Sequence, residues 1–253
     1  MRRATVVSAR AAVVQLGGFR LGPVDLDVQA GSVTAVLGPN GSGKTTLLQA
    51  LLGLLPLAGG QMTIDGYRSS ERNPRMLREV GFAPDDDAGL IEELTAQELW
   101  RLHARLHARV TGNARELQDN AVAIARSLDF EPPATCIAGF SHGMRKKVQL
   151  AAAFMHRPQL LVLDEPRNGL DPLGIERLEA LLRTHRAQGA ACLVASHDLR
   201  WAERVADEVL ILSGGAVVAA GAPQDLARGG DFVSAFFRIV DERQIQRPES
   251  DLR

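Results

Sequence analysis

An α/β fold with a mainly parallel sheet, an N-terminal antiparallel β part and a helical insertion is what the sequence predicts, and three observations predict it. The runs Val33–Leu37, Leu160–Leu163 and Ala191–Ala195 are apolar or β-branched throughout, as strands covered on both faces are. Val24-Asp-Leu-Asp-Val28 alternates strictly instead, so one of its faces is wet. From about Thr95 to Leu128 leucines recur at helical spacing among charged residues, and no strand signal interrupts them.

In chain order, β-type segments near Thr5–Ser8, Val24–Val28 and Val33–Leu37 are separated by turn signals at Gly17-Gly18, Gly22-Pro23 and Ala30-Gly31. The third runs into Gly38-Pro39-Asn40-Gly41-Ser42-Gly43-Lys44-Thr45-Thr46, after which leucines at helical spacing continue to Leu54. This is the pattern G-x-x-x-x-G-K-[ST] between a buried strand and a helix N-terminus, where free N–H groups and the helix dipole favour an anion. Gly38, Gly41 and Gly43 let the backbone approach nucleotide phosphates, with Pro39, Asn40, Ser42 and Thr46 completing the loop. Lys44 reaches the β- and γ-phosphates, and the Thr45 hydroxyl is placed for Mg²⁺. The core is therefore that of a phosphate-loop NTPase.

Beyond Pro56–Gly60, Gln61–Asp65 reads as a strand, and Val80–Ala83 as another that ends at Pro84 and three aspartates. Residues 86–157 read as a mainly helical insertion, with a break at Phe130–Pro133 and a helix N-capped by Ser141. Leu160–Asp164 delivers Asp164 and Glu165 to the C-terminal edge of the sheet, where ligands of open α/β sheets bind. Successive strand residues point to opposite sides, so their labour divides. Asp164 suits the Mg²⁺ side and Glu165 can polarise a water for in-line attack on the γ-phosphate. Asp171-Pro172 opens a helix, and Ala191–Ala195 ends in Ser196-His197-Asp198. Glu208–Leu212 and Ala216–Ala220 form a hairpin around Ser213–Gly215. From Arg238 the chain is charged and weakly patterned, and the last ten or so residues are expected to be poorly ordered.

Composition excludes several classes. With 253 residues, 45% hydrophobic and 23% charged, the chain can bury a sizeable core, and a net charge of −1 gives no electrostatic case for a nucleic-acid partner. Cys136 and Cys192 lack metal spacing and suggest a reducing compartment. The start, Met1–Arg10, lacks the apolar core of a signal peptide. No apolar run approaches the roughly 20 residues that span a bilayer, so a membrane role must come through a partner. His103 and His107, four apart, are expected on a solvated helix face rather than on a metal.

The order of motifs resembles the nucleotide-binding subunit of ABC transporters, from about Val24 to Leu226. The phosphate loop is followed by Phe140-Ser141-His142-Gly143-Met144-Arg145, resembling the family's signature. Leu160–Asp164 with Glu165 resembles Walker B, Asn168-Gly-Leu-Asp171 the D-loop, and His197 the switch histidine. The resemblance implies the ABC ATPase fold, with core 1–85 and 158–237, helical subdomain 86–157 and tail 238–253. It also implies ATP and Mg²⁺ as cofactors, and hydrolysis by Glu165 with Lys44 and His197. A second nucleotide-binding subunit would complete each site with Ser141 and Gly143 in trans, and Asp171 would couple the two sites. The partner would be an integral-membrane permease, which places the chain peripherally on the cytoplasmic face of the membrane, with no nucleic acid expected.

The sequence departs from the family's pattern in places. A Ser-x-Gly-Met-Arg signature resembles the exporter-type branch. Asp85 stands where the family usually has a glutamine that senses Mg²⁺, and its carboxylate can still bind the ion or its waters. The aromatic that stacks on adenine falls by interval near Gln15, with Phe19 the nearest ring. Leu90, Ile91, Leu94 and Trp100 would either receive the membrane subunit or pack the insertion's own core. The competing reading is a soluble ABC-type ATPase acting on nucleic acid, ribosomes or iron–sulfur assembly. A phosphate-loop kinase leaves Phe140–Arg145 and His197 unexplained.

Overall fold

A computed structural model describes residues 4–71, 73–111 and 113–245. The fold is α/β, with an antiparallel sheet and a mixed, mostly parallel one. By contacts the chain divides into two units, residues 74–194 and the flanking residues up to 73 and from 195.

The flanking unit begins with β1 (Thr5–Leu16), β2 (Phe19–Gln29), β3 (Val33–Leu37), α1 (Lys44–Leu51), β4 (Gly59–Ile64) and β5 (Tyr67–Arg68). β1 pairs antiparallel with β2 on one side and β4 on the other, as the N-terminal β part requires. The Gly22-Pro23 turn signal lies inside β2 instead of ending a strand. A Cβ at Gly22 would collide with the Ala12 carbonyl, and the Gly22 amide donates to the Gly215 carbonyl at 2.7 Å. The partner strand absorbs the irregularity through register shifts either side of Ala12.

The middle unit contains α2 (Pro74–Arg78), β6 (Val80–Ala83), α3 (Ala96–Thr111), α4 (Ala114–Ser127), α5 (His142–Phe154), β7 (Leu160–Asp164) and α6 (Pro172–Ala187), and β8 (Ala191–Ser196) leads out of it. β6 and β7 run parallel, from Val80 opposite Leu160 to Ala83 opposite Leu163. The long helical stretch is two helices, because Asn113 caps α4 by accepting the Glu116 amide at 3.2 Å. Their apolar stripes close with α5 on a core that includes Leu99, Trp100, Ala121, Phe140, Val148 and Met155. Trp100 is fully buried, and its Nε1–H donates to the Val148 carbonyl at 3.1 Å. Leu90 and Leu94 pack half-buried on the same core. Of the four residues considered for docking only Ile91 is exposed, at 41%.

The chain continues through α7 (Leu199–Val205), β9 (Glu208–Ser213), β10 (Ala216–Gly221), α8 (Pro223–Ala227) and α9 (Phe232–Ile245). β3 runs parallel to β9, and β9 pairs antiparallel with β10. Ala35, Leu37, Val209 and Ile211 form a core with Phe232, Phe236 and Val240 of α9. Residues 238–245, which the sequence suggested were the start of a charged tail, are thus helical, because Val240 extends the buried face. Residues 246–253 lie outside the described residues. Among the described residues no helix is long and apolar enough to cross a membrane.

The expected solvated face at His103 and His107 is a half-buried one. His107 stacks on His156 with ring centroids 4.1 Å apart, and the His156 Nε2–H donates to the Val80 carbonyl at 3.1 Å. His185 meets Phe154 edge-on. Among the described residues no three His, Cys, Asp or Glu side chains are placed to hold a metal. Burial lowers the pKa of His103, His107, His156 and His185, that of His156 to about 3. They fold neutral, so the unfolded chain binds more protons below about pH 6.5. Their contribution to stability is complete above that pH and is lost as pH falls toward the depressed values. The urea midpoint is expected to drop between pH 7 and 5, and Gln at 107 and 156 to flatten that slope. An unchanged slope would contradict this account.

Candidate nucleotide site

β3 is buried along its length and delivers Gly38 to a turn with no room for a side chain. A Cβ there would collide with the Leu212 carbonyl oxygen and stand 2.5 Å from Ser42 Oγ. Gly43, the N-cap of α1, has φ +107°, which L-residues with side chains rarely adopt. The loop closes on its own lysine. Lys44 is 7% exposed, and its ammonium donates to the carbonyls of Gly38 at 2.9 Å and Pro39 at 3.4 Å. Ser42 Oγ is buried and has no hydrogen-bond partner among the described residues. Thr45 is exposed, Thr46 half-buried, and Pro39, Asn40 and Gly41 form the exposed outer arc. An enclosed ammonium, a spare buried hydroxyl and a helix N-terminus on a turn stripped of side chains suit a phosphate group.

Phe19, at the tip of the β1–β2 hairpin, lies beside this turn, its Cζ 3.1 Å from where a Gly43 Cβ would stand. Gln15 is exposed and its side-chain amide turns back to the Gly17 carbonyl at 2.7 Å. His197 is exposed just past β8. After it, Asp198 caps α7 by accepting the Trp201 amide at 2.9 Å.

In the middle unit, Asp164 ends β7 at 2% exposure and Glu165 follows at 8%. Glu165 lies outside the strand with φ +42°, in the left-handed region. Strand alternation therefore does not set the two carboxylates apart, and the turn after the strand does. That turn is held by the Asn168 amide donating to the Glu165 carbonyl at 3.1 Å. It ends at Asp171, which caps α6 by accepting the Gly174 amide at 2.7 Å. Ser141 is the N-cap of α5, as its position before the helix suggested, and accepts the Met144 amide at 3.3 Å. It remains exposed, while Gly143 presses on the backbone of Gly169.

Asp85 is half-buried, and its Oδ1 accepts a hydrogen bond from the Asn168 side chain at 2.8 Å. Beneath it Lys146, 1% exposed, donates to the Pro84 carbonyl at 2.8 Å and the Asp85 carbonyl at 3.3 Å. Burial lowers the Lys146 pKa, opposed by the charges of Asp85, Asp164, Asp87 and Asp86. Gln149 donates to the Asp86 carbonyl at 2.6 Å, and Arg145 pairs with Asp87 at 2.8 Å and Glu92 at 2.6 Å. Sequence reasoning passed over Lys146, Gln149 and the side chain of Asn168. The adjacent cations Arg145-Lys146, against three successive aspartates, were the signal that could have found the first.

Residues 21–168 match the family model described as ABC transporter, and the chain belongs to that family. It is 34% identical to a Nod factor export ATP-binding protein I of Cupriavidus pinatubonensis over 80% of this chain and 62% of the relative. It is 35% identical to an Fe(3+) ions import ATP-binding protein of Streptomyces avermitilis over 91% of this chain and 67% of the relative. A solved structure, "Structure of ATP binding subunit of ABC transporter", is 30% identical with a TM-score of 0.85 and covers 92% of this chain and 99% of that one. The chain spans 62% of the length of the first curated relatives it matches.

Gly143→Ala is expected to force its Cβ into the Gly169 backbone and to cost about 1–3 kcal/mol in urea unfolding. A midpoint equal to wild type would show that this approach is not close in solution.

Proposed function

We propose that this chain binds ATP with Mg²⁺, hydrolyses it, and so powers a separate transmembrane subunit of an ABC transporter. The observation that carries the reading is the Gly38–Lys44 turn, closed around a buried ammonium and opening on a helix N-terminus. Lys44 would engage the β- and γ-phosphates, with the glycines and Ser42 lining the phosphates. Thr45 and Asp164 offer the hard oxygen donors that Mg²⁺ takes, and the ion would offset phosphate charge when bound. Asp85 is a further donor whose carboxylate is engaged by Asn168 here.

Glu165 would accept a proton from a water whose oxygen bonds to the γ-phosphorus. The bond to the β–γ bridging oxygen breaks in line, and ADP leaves with that electron pair. His197 would orient the water and the γ-phosphate. The exposed N-cap Ser141, with Gly143, would complete the site of a second such subunit, and Asp171 would link the two. ATP-driven closure and reopening of that pair would move a permease, with the chain peripheral on the cytoplasmic face of the membrane. The Ser-x-Gly-Met-Arg signature favours export, although the relatives are named for both directions.

Glu165→Gln is expected to lower turnover at least about a hundredfold while ATP affinity holds, since it removes the proton acceptor and leaves the loop intact. Lys44→Ala should instead weaken ATP binding about tenfold or more, by loss of a charge-assisted contact. Phosphate release and equilibrium binding separate the two. Wild-type turnover in Glu165→Gln would remove Glu165 from the proposed role.

A further inference from the structure

A side-chain hydrogen bond ties the Glu165 turn to the segment that follows β6. Asn168, whose backbone amide bonds the Glu165 carbonyl, also sends its side-chain amide to Asp85 Oδ1 at 2.8 Å. Eighty-three residues separate these partners in sequence. Asp85 is itself immobilised, since Lys146 grips the carbonyls of Pro84 and Asp85, Gln149 grips the next and Arg145 grips Asp87. All three grips come from α5, the helix capped by Ser141. The next residue of the turn, Gly169, lies against His142 and Gly143 at the start of that helix. The turn carrying Glu165 is thus referenced to α5 twice, through Asp85–Asn168 and through Gly169.

We propose that Asp85 and Asn168 are a positioning pair for Glu165. Their amide–carboxylate bond sets the Glu165 turn according to where α5 and the 84–87 segment lie. Neither residue exchanges a proton with the reacting water; as a pair they act through the turn, and Asp85→Asn keeps an oxygen donor for Mg²⁺. The inference rests on the role proposed for Glu165, and it gives the aspartate at position 85 a task that its own sequence neighbourhood does not reveal.

The test uses the full chain. Asn168→Asp faces two carboxylates and is expected to lower turnover roughly ten- to a hundredfold, with ATP affinity within about twofold of wild type. Adding Asp85→Asn reverses the polarity of the pair, restores an amide facing a carboxylate, and should recover most of the turnover. Independently of catalysis, Asp85→Ala should speed amide hydrogen exchange over 166–171, a segment remote in sequence. Absence of rescue, affinity falling in step with turnover, or unchanged exchange over 166–171 would each overturn the pair. A wild-type chain without ATP turnover would defeat the reading of Glu165, and the exchange measurement would then decide the pair by itself.

Discussion

A main-chain turn that leaves no space for side chains at Gly38 and Gly43 is the constraint on which the rest depends. The carbonyl of Leu212 and the Ser42 hydroxyl fill the place of one Cβ, and Phe19 and Leu21 crowd the other. The turn can be this tight because β3 is buried throughout and paired with β9, so its end cannot swing away. Lys44 then folds inward onto carbonyls of its own loop rather than outward to water. What precedes it makes the N-terminus of a helix of ordinary propensity suited to an anion.

The middle unit solves a different problem, that of holding an acidic segment against a helix without leaving charges unpartnered. Lys146 is buried at a desolvation cost that backbone carbonyls and nearby carboxylates offset. Arg145 takes Asp87 and Glu92, both more exposed than itself. This arrangement leaves the Asp85 side chain to reach the turn after β7. The apolar half of the same unit is made by α3, α4 and α5 around Trp100, so polar and apolar sides of α5 have separate duties.

Much of this was legible from local pattern. Buried strands announce themselves by apolar and β-branched runs, and β3, β7 and β8 fall where Val33, Leu160 and Ala191 begin such runs. The caps at Ser141 and Asp171 follow from residue type beside a helical pattern. What failed was long-range. Gly22-Pro23 looked like a turn because the bulge that accommodates it lies in the partner strand. Glu165 looked like a strand residue, since nothing beside it shows that the chain turns left-handed there. Trp100, amphipathic in sequence, gave no sign that a carbonyl of α5 would satisfy its N–H. The Asp85–Asn168 bond spans elements whose proximity only the fold creates.

The central claim is that the loop from Gly38 recognises polyphosphate rather than base or sugar, and calorimetric titration of the purified chain tests it most directly. With Mg²⁺ present, ATP and ADP are expected to bind with comparable affinity and AMP at least about a hundredfold more weakly, because AMP lacks the phosphates proposed to meet Lys44. AMP or adenosine binding as tightly as ATP would contradict the account.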